Sequence, residues 1–276
     1  MAASDKSNTL KYSIWAIAAA VVILILIVLV KSPTTTNTNV DDSPVPFSLM
    51  TKLSSVKQSV FDEIGIGSST PKPTPLNAPA LTSGSKPRVV YIGAEYCPYC
   101  ATERWAMVVA LERFGTISNL KETHSSLTDL YPNTQTFSFH GATYSSPYFE
   151  FDAVERYSNK PQGSSYALLD TPTSEEQNLM NTYDAPPYTT SSNAGAIPFI
   201  DFGGKYFIIG ATYSPAVLQG KSYDQIADSL TDPTSAITKG LIGAANGITA
   251  AICGATNNTP SSICMDPTIS SIKSSF

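Results

Sequence analysis

Charged residues are scarce in this sequence. Lysine, arginine, aspartate and glutamate make up only 14% of its 276 residues, and the formal net charge is −5. Nucleic-acid binding needs a basic face, and this balance gives no support for one. Histidine occurs only twice, as His124 and His140, which we expect to be surface or core residues. With no glycine-rich phosphate loop, no His-x-x-x-His pattern and no Ser/His/Asp set, the sequence predicts neither a metal nor a cofactor.

Cysteine is also rare, with four residues that fall into two pairs. An even number at local spacing favours disulfide bonds in an oxidising compartment. Cys253 and Cys264 enclose a short loop that has little else to order it, so we expect a structural disulfide between them. A second redox centre is the alternative, although this spacing gives no helix-start geometry.

The other pair lies between a strand signal and a helix signal. Residues 89–92 form a short β-branched and aromatic run that ends at a glycine, which predicts a buried strand. A Cys-Pro-Tyr-Cys motif occupies residues 97–100, and the residues after it predict a helix through Phe114, with Gly115 as its C-cap. Residues 105–111 are apolar on nearly every side, so we expect this helix to be covered by the sheet and by the segment downstream.

The spacing of this motif favours thiol–disulfide chemistry. Pro98 suits the first helical position because no backbone N–H is needed there, which makes Cys97 the N-cap. The free N–H groups and the helix dipole then stabilise a thiolate, so Cys97 is the predicted nucleophile at the domain surface. Cys100, one turn later, is the predicted resolving thiol, and Pro98 and Tyr99 support the motif. A zinc half-site and a static disulfide are the alternatives.

An apolar run near the start of the sequence predicts a membrane anchor. Residues 12–30 would span about 28 Å as a helix, close to the roughly 30 Å of a bilayer core. A cleaved signal peptide is the alternative, but its apolar core is normally shorter and no small-x-small site follows. Lys6 and Lys11 precede the run and Lys31 follows it, which predicts a cytoplasmic tail at 1–11 and an extracytoplasmic domain after the anchor.

A tether and a helical segment connect the anchor to the first core strand. Residues 31–46 are rich in Thr, Asn, Ser and Pro and have no apolar periodicity, which predicts a flexible tether. Residues 47–86 are predicted as an amphipathic helix over 47–64 followed by an extended lead-in. We expect the helix to pack on the folded domain; a position on the membrane surface is the alternative.

The remaining sequence alternates strand and helix signals, which predicts an α/β fold. Residues 197–202 and 205–209 are aromatic and β-branched runs joined by Gly-Gly, a pattern typical of an antiparallel hairpin. A second hairpin is predicted around residues 145–147. Further helices are predicted over 174–183, 222–230 and 235–252.

The motif and its surroundings resemble the thioredoxin superfamily, and in particular a prokaryotic family of membrane-anchored thioredoxin-like proteins of unknown function. The matching segments are 90–105, 131–134, 137–139, 141–148 and the Cys253/Cys264 pair. The resemblance implies a thioredoxin-like domain over 87–264 and a tail at 265–276. It also implies an insertion at about 121–196, between the active-site helix and the strand that begins with the cis-proline.

The same resemblance implies roles for individual residues. Cys97 would attack, and Cys100 would resolve the mixed disulfide. Pro198 would be the cis-proline that faces the two sulfur atoms, and the backbone of Ile197 would pair with a substrate strand. The strand before the motif departs from cytosolic thioredoxins, because it lacks their buried acid.

Together these features predict a single-pass, membrane-tethered, extracytoplasmic thiol–disulfide oxidoreductase. Its predicted partners are the cysteines of protein substrates and a membrane or soluble redox partner. A non-catalytic thioredoxin-fold module for binding or assembly at the cell surface is the second hypothesis. Thiol handling in a copper or haem pathway is the third, although no Met or His cluster supports it.

Overall fold

The computed structural model describes residues 42–276. The predicted tail at 1–11, the anchor at 12–30 and the tether up to residue 41 lie outside the described residues. The helices of the described range are α1 Phe47–Ser54, α2 Gln58–Ile64, α3 Pro98–Leu111, α4 Ser174–Tyr183, α5 Tyr223–Ser229, α6 Ala236–Ala255, α7 Ser261–Cys264 and α8 Pro267–Lys273, with a 3₁₀ turn at Pro215–Leu218. Its strands are β1 Thr74–Pro75, β2 Thr82–Ser83, β3 Lys86–Gly93, β4 Thr116–Ser118, β5 Lys121–His124, β6 Gln135–Ser138, β7 Thr143–Ser145, β8 Glu150–Glu155, β9 Tyr157–Gln162, β10 Ser165–Leu168, β11 Phe199–Phe202 and β12 Tyr206–Ile209.

A mixed sheet lies at the centre, in agreement with the predicted α/β class. Its strand order is β1-β12-β11-β3-β2, and β8 pairs with β3 in parallel. The parallel pair is connected through α3, whereas β11 pairs antiparallel with both β3 and β12. Gly203 and Gly204 join β11 to β12 with φ values of 67° and 73°, which glycine adopts at little cost. The predicted hairpin over 197–209 is therefore present.

The central strand β3 is buried on both faces. Val89 and Tyr91 belong to a large apolar cluster with α3 and α6, whereas Val90 and Ile92 belong to a smaller cluster on the opposite face. Met180 of α4 contributes to the smaller cluster. This alternation follows from the two-residue period of a strand, and it places helices on both faces of the sheet.

Helix α3 is enclosed almost completely. All of its residues are buried except Tyr99, and it packs against α6 and β6. Much of its cover therefore comes from α6 as well as from β6 of the segment directly downstream. The helix ends at Leu111, earlier than predicted, and Gly115 is not its C-cap. A Cβ atom at Gly115 would lie 2.2 Å from the Ser145 carbonyl oxygen, so close packing against β7 explains this glycine.

The amphipathic segment forms two helices, where the sequence predicted one over 47–64. Helices α1 and α2 are separated by residues 55–57. Leu49, Leu53, Val60 and Phe61 are buried in the large apolar cluster, against α3, α5 and α6. This face is occupied by the domain itself, as expected for packing on the domain.

Two other expectations need correction. The predicted hairpin around residues 145–147 is wrong, because β7 pairs with β4 and β8 pairs with β3. The predicted insertion at 121–196 is also too long, because it includes β8 of the central sheet and α4, which covers that sheet. Parallel pairing between β3 and β8 joins residues far apart in sequence, so local patterns do not reveal it.

Within the described residues, one helix is long and apolar enough to cross a membrane, namely α6. Of its apolar window, 89% is buried inside the protein. That degree of burial is typical of a core helix.

Candidate active site

Cys97 occupies the N-cap of α3, as the motif predicts. Its backbone is extended, with φ −77° and ψ 121°, and Pro98 takes the first helical turn. The Cys100 backbone N–H donates to Cys97 Sγ at 3.2 Å, which satisfies one of the free donors of the first turn. Cys97 and Cys100 are not joined by a disulfide bond. The local chemistry of a proline-started helix thus aims the first-turn N–H groups at this sulfur atom.

The two cysteines are more enclosed than the sequence indicated. Cys97 was expected at the domain surface, but only 5% of it is exposed, and Cys100 is fully buried. Cys97 Sγ lies 3.7 Å from the Ile197 carbonyl oxygen, so the polypeptide before β11 covers one side of it. Cys97 Sγ is therefore recessed below the surface.

The two thiols differ in acidity. The pKa of Cys97 is lowered, first by the hydrogen bond from the Cys100 thiol, then by the first-turn N–H groups and the positive charge of Arg104, against the effect of burial. The pKa of Cys100 is raised well above that of an ordinary thiol, mainly because burial disfavours its charged form. This division suits a nucleophile at Cys97 and a protonated resolving thiol at Cys100.

The predicted cis-proline, Pro198, belongs to the peptide unit that faces Cys97. The Ile197–Pro198 peptide bond is cis, and the Ile197 carbonyl faces Cys97 Sγ. The Pro198 carbonyl accepts from the Gly210 N–H at 2.7 Å, which ties this turn to the end of β12. The structure therefore brings together Cys97, Cys100, Ile197 and Pro198, the four residues for which the resemblance implies attacking, resolving and substrate-pairing roles.

A buried ion pair lies on the sheet side of α3. Arg104 Nε donates to Glu155 Oε1 at 2.7 Å, and Arg104 Nη2 donates to Glu155 Oε2 at 2.8 Å. Both side chains are fully buried. Arg104 Nη2 also donates to the Ala94 carbonyl at 2.6 Å. Such bidentate contacts fix the orientation of a guanidinium group more firmly than a single contact does.

Two polar groups beside this pair are buried without a hydrogen-bond partner among the described residues. They are Arg104 Nη1 and Tyr91 Oη. Burial raises the pKa of the Tyr91 hydroxyl well above its usual value, with the Arg104 charge acting in the opposite direction. The phenol therefore stays neutral beside the thiols.

Glu103 is a second buried charge-bearing residue on α3. Its carboxyl group accepts from the Thr212 N–H at 2.8 Å and from the Thr212 hydroxyl at 2.9 and 3.1 Å. Burial raises the pKa of Glu103 to about 7, while these hydrogen bonds act in the opposite direction. Near neutral pH, small changes in pH therefore alter the protonation of Glu103.

Two tyrosines of the motif segment pair with tyrosines from the downstream segment. Tyr96 stacks on Tyr166, with ring centroids 4.3 Å apart, and Tyr99 meets Tyr131 edge-on at 6.1 Å. Tyr99 is 39% exposed and lines a cavity of about 370 Å³ together with Tyr131 and Tyr213. The described residues that line this cavity carry aromatic rings and hydroxyl groups but no charge, and neither Cys97 nor Cys100 is among them.

The other predicted residues lie apart from this chemistry. Cys253 and Cys264 form a disulfide bond with Cα atoms 5.3 Å apart. His124 Nδ1 lies 2.7 Å from the Ser125 carbonyl oxygen, and His140 Nδ1 lies 2.7 Å from Asp170 Oδ1, so both have structural contacts. The described residues contain no group of three or more His, Cys, Asp or Glu side chains arranged to hold a metal ion.

Sequence reasoning gave no role to Glu103, Arg104 or Glu155. One signal was present, because Glu103 and Arg104 are adjacent opposite charges inside an otherwise apolar helix, and a buried charge needs a partner. The partners themselves are not readable locally. Glu155 lies 51 residues after Arg104, and Thr212 lies 109 residues after Glu103.

A family model described as a domain of unknown function, DUF929, matches residues 73–254. The match includes the Cys97–Cys100 motif, the buried ion pair and Pro198. A search of curated proteins and a search of solved structures found no match.

Proposed function

We propose that this chain, which belongs to the DUF929 family, is a thiol–disulfide oxidoreductase. It acts on protein cysteines through Cys97 and Cys100. The observation that carries the proposal is the pairing of a helix-capping Cys97, whose pKa is lowered, with a buried Cys100, whose pKa is raised. A structural thiol pair has no need of this division of acidity.

The proposed exchange is balanced within the two partners. When the pair is oxidised, a substrate thiolate attacks the Cys97–Cys100 disulfide and forms a mixed disulfide with Cys97. A second substrate thiolate then attacks the substrate sulfur of that bond and releases Cys97. The substrate loses two electrons and two protons, and Cys97 and Cys100 gain them as thiols. In the reverse direction, Cys97 attacks a substrate disulfide and Cys100 resolves the intermediate.

The arrangement around the motif supports a thioredoxin-like fold as part of the proposal. Strand β3, helix α3 and the parallel strand β8 form a βαβ unit, and the antiparallel hairpin β11–β12 begins just after Pro198. The Ile197 carbonyl beside Cys97 Sγ also supports it. A substrate strand would pair with the backbone of Ile197.

The proposed location is the outer face of a cell membrane, with residues 12–30 as a single anchor and residues 1–11 in the cytoplasm. The Cys253–Cys264 disulfide supports this location, because such bonds persist in oxidising compartments. Protease treatment of sealed cells tests it. The folded domain should be digested without lysis, and protection of the domain would contradict the location.

The activity is tested by insulin reduction and by oxidative refolding of a reduced protein. Cys97→Ala should abolish both activities, because it removes the nucleophile. Cys100→Ser should accumulate a mixed disulfide with the substrate, because the resolving thiol is missing. Activity of Cys97→Ala equal to that of the wild type would contradict the proposal.

A second candidate is a non-catalytic module that uses this fold for binding or assembly at the cell surface. The burial of Cys97 favours it, since a recessed sulfur atom is poorly accessible to substrates. The two candidates differ in the alkylation rate of the folded protein. A catalytic Cys97 in the folded protein reacts with a small alkylating agent at a pH below the value of about 8.5 that is usual for a free thiol, whereas in the non-catalytic module it is inert until the protein is unfolded.

A further inference from the structure

We propose that Arg104 is a positioning residue that biases Cys97 and Cys100 toward their reduced form, and that Glu155 opposes this bias. The inference rests on the proposed function and adds the direction in which the pair is tuned. It starts from an ion pair that is fully buried next to the motif, where a static fold would be served as well by apolar side chains.

The helix places the guanidinium group on the face of the thiols. Arg104 follows Cys97 by seven residues and Cys100 by four, and these spacings put all three side chains on one side of an α-helix. The Arg104 Nη2 group donates to the Ala94 carbonyl, which also accepts from the Cys97 backbone N–H at 3.2 Å. The same guanidinium group therefore holds the turn in which Cys97 becomes the cap.

The sheet fixes the counter-charge on the other side. Glu155 is the last residue of β8 and lies opposite Gly93 in the parallel register, directly before the motif turn. Its carboxylate holds Arg104 Nε and Nη2 but leaves Nη1 without a partner among the described residues. Arg104 therefore retains an unsatisfied donor in a region that water does not reach, where its charge acts strongly on its neighbours.

The titratable groups that face this region come from four segments: β3, the turn before Cys97, α3 and β8. Tyr91 comes from β3 and stays neutral. Glu95, in the turn before Cys97, accepts a hydrogen bond from the Ser138 hydroxyl, and burial raises its pKa. Arg104 is then the positive group that acts on both thiols, favouring the charged form of each, and Glu155 acts on Cys100 in the opposite sense.

The redox consequence follows from which form holds a charge. Only the reduced pair contains a thiolate, so a nearby positive charge stabilises the dithiol form and makes the disulfide more oxidising. In the glutathione reaction, the Cys97–Cys100 disulfide accepts two electrons from two glutathione thiols. The products are the Cys97 and Cys100 thiols and one molecule of glutathione disulfide.

The test is equilibration of the full chain with mixtures of reduced and oxidised glutathione at pH 7, followed by acid quenching, alkylation and mass measurement. Arg104→Met should shift the equilibrium constant about tenfold toward the disulfide form, because the Cys97 thiolate of the reduced pair loses the positive charge that stabilises it. Glu155→Gln should shift it in the opposite direction, because Arg104 keeps its charge and loses the carboxylate that offsets it. The double variant should lie close to the wild type.

Opposite signs separate electrostatic tuning from damage to the fold, since a distorted motif would move both single variants in the same direction. Arg113→Met is the matched control, because Arg113 follows the same helix, contacts the Phe61 ring and should leave the equilibrium unchanged. If Arg104→Met does not fold, Glu155→Gln and the double variant still carry the test.

Three outcomes would overturn the inference: shifts of the same sign in both single variants, no shift in Glu155→Gln, or a wild-type pair that does not exchange with glutathione. The last outcome would also remove the proposed function. The first two would leave the function standing, with Cys97→Ala still inactive, and would reduce the ion pair to a structural contact.

Discussion

Replacement of Glu103 by glutamine should change how the stability of this protein depends on pH. Glu103 is fully buried in α3, and its pKa of about 7 compares with an ordinary value of 4.5. Between these two values the folded protein holds a proton that the unfolded chain has released. Stability contributed by the neutral carboxyl is therefore complete below about pH 4.5 and is lost as the pH rises toward 7.

The magnitude follows from the size of the shift. A difference of about 2.5 units corresponds to roughly 3 kcal/mol at 1.36 kcal/mol per unit, as an order of magnitude for a fully buried group. Glutamine keeps the geometry, because its oxygen accepts from the Thr212 N–H and its amide donates to the Thr212 hydroxyl. It carries no charge at any pH, so the variant avoids the penalty that the wild type acquires near neutrality.

The assay is urea unfolding of the wild type and Glu103→Gln at a series of pH values from 4 to 8. The two proteins should have similar free energies of unfolding near pH 4, and the variant should be more stable by up to about 3 kcal/mol at pH 8. Burial also raises the pKa of Asp201, to about 6, so the stability contributed by the neutral Asp201 carboxyl also falls as the pH rises. It is present in both proteins, so the difference curve isolates Glu103. A difference that is independent of pH would refute the reasoning.

Three further predictions concern stability. Removing the Cys253–Cys264 disulfide by a double serine substitution should lower the free energy of unfolding by about 3 kcal/mol relative to the oxidised wild type in urea, and the reduced wild type should match the variant. Gly204→Ala should cost about 2 kcal/mol or more, because φ is 73° and the new Cβ would meet the Pro79 carbonyl oxygen at 2.3 Å; an unchanged thermal midpoint would contradict this. Thr173→Ala should cost about 1 kcal/mol by removing the capping box of α4, with Thr173→Ser as a control that retains it.

Local patterns predicted the parts of the site that depend on neighbours in sequence. Residues 89–92 lie in β3, Cys97 is the N-cap of α3, and the Gly-Gly turn joins β11 to β12, because each depends on backbone preferences over a few residues. The end of α3 was misplaced, since Gly115 was interpreted as a cap when a close approach to β7 requires it. A glycine has both uses, and sequence alone does not separate them.

Contacts between distant segments were out of reach. The parallel partner of β3 was expected in a hairpin of its own, and the carboxylate that pairs with Arg104 sits at the end of that same strand. The enclosure of Cys97 depends on Ile197, a hundred residues away in sequence. Burial is the sum of such contacts, so a motif that predicts the chemistry of a sulfur atom does not predict how much of it water can reach.

The most direct test of the account is the acidity of Cys97 in the folded protein. Thiolate absorbance of the reduced wild type, followed from pH 4 to 10, should show one titration below the value of about 8.5 that is usual for a free thiol. Cys97→Ser should lack that titration, and the rate of alkylation should follow the same pH profile. A single titration at or above the usual value, or a Cys97 that no small reagent alkylates until the protein unfolds, would contradict the assignment of Cys97 as a nucleophile.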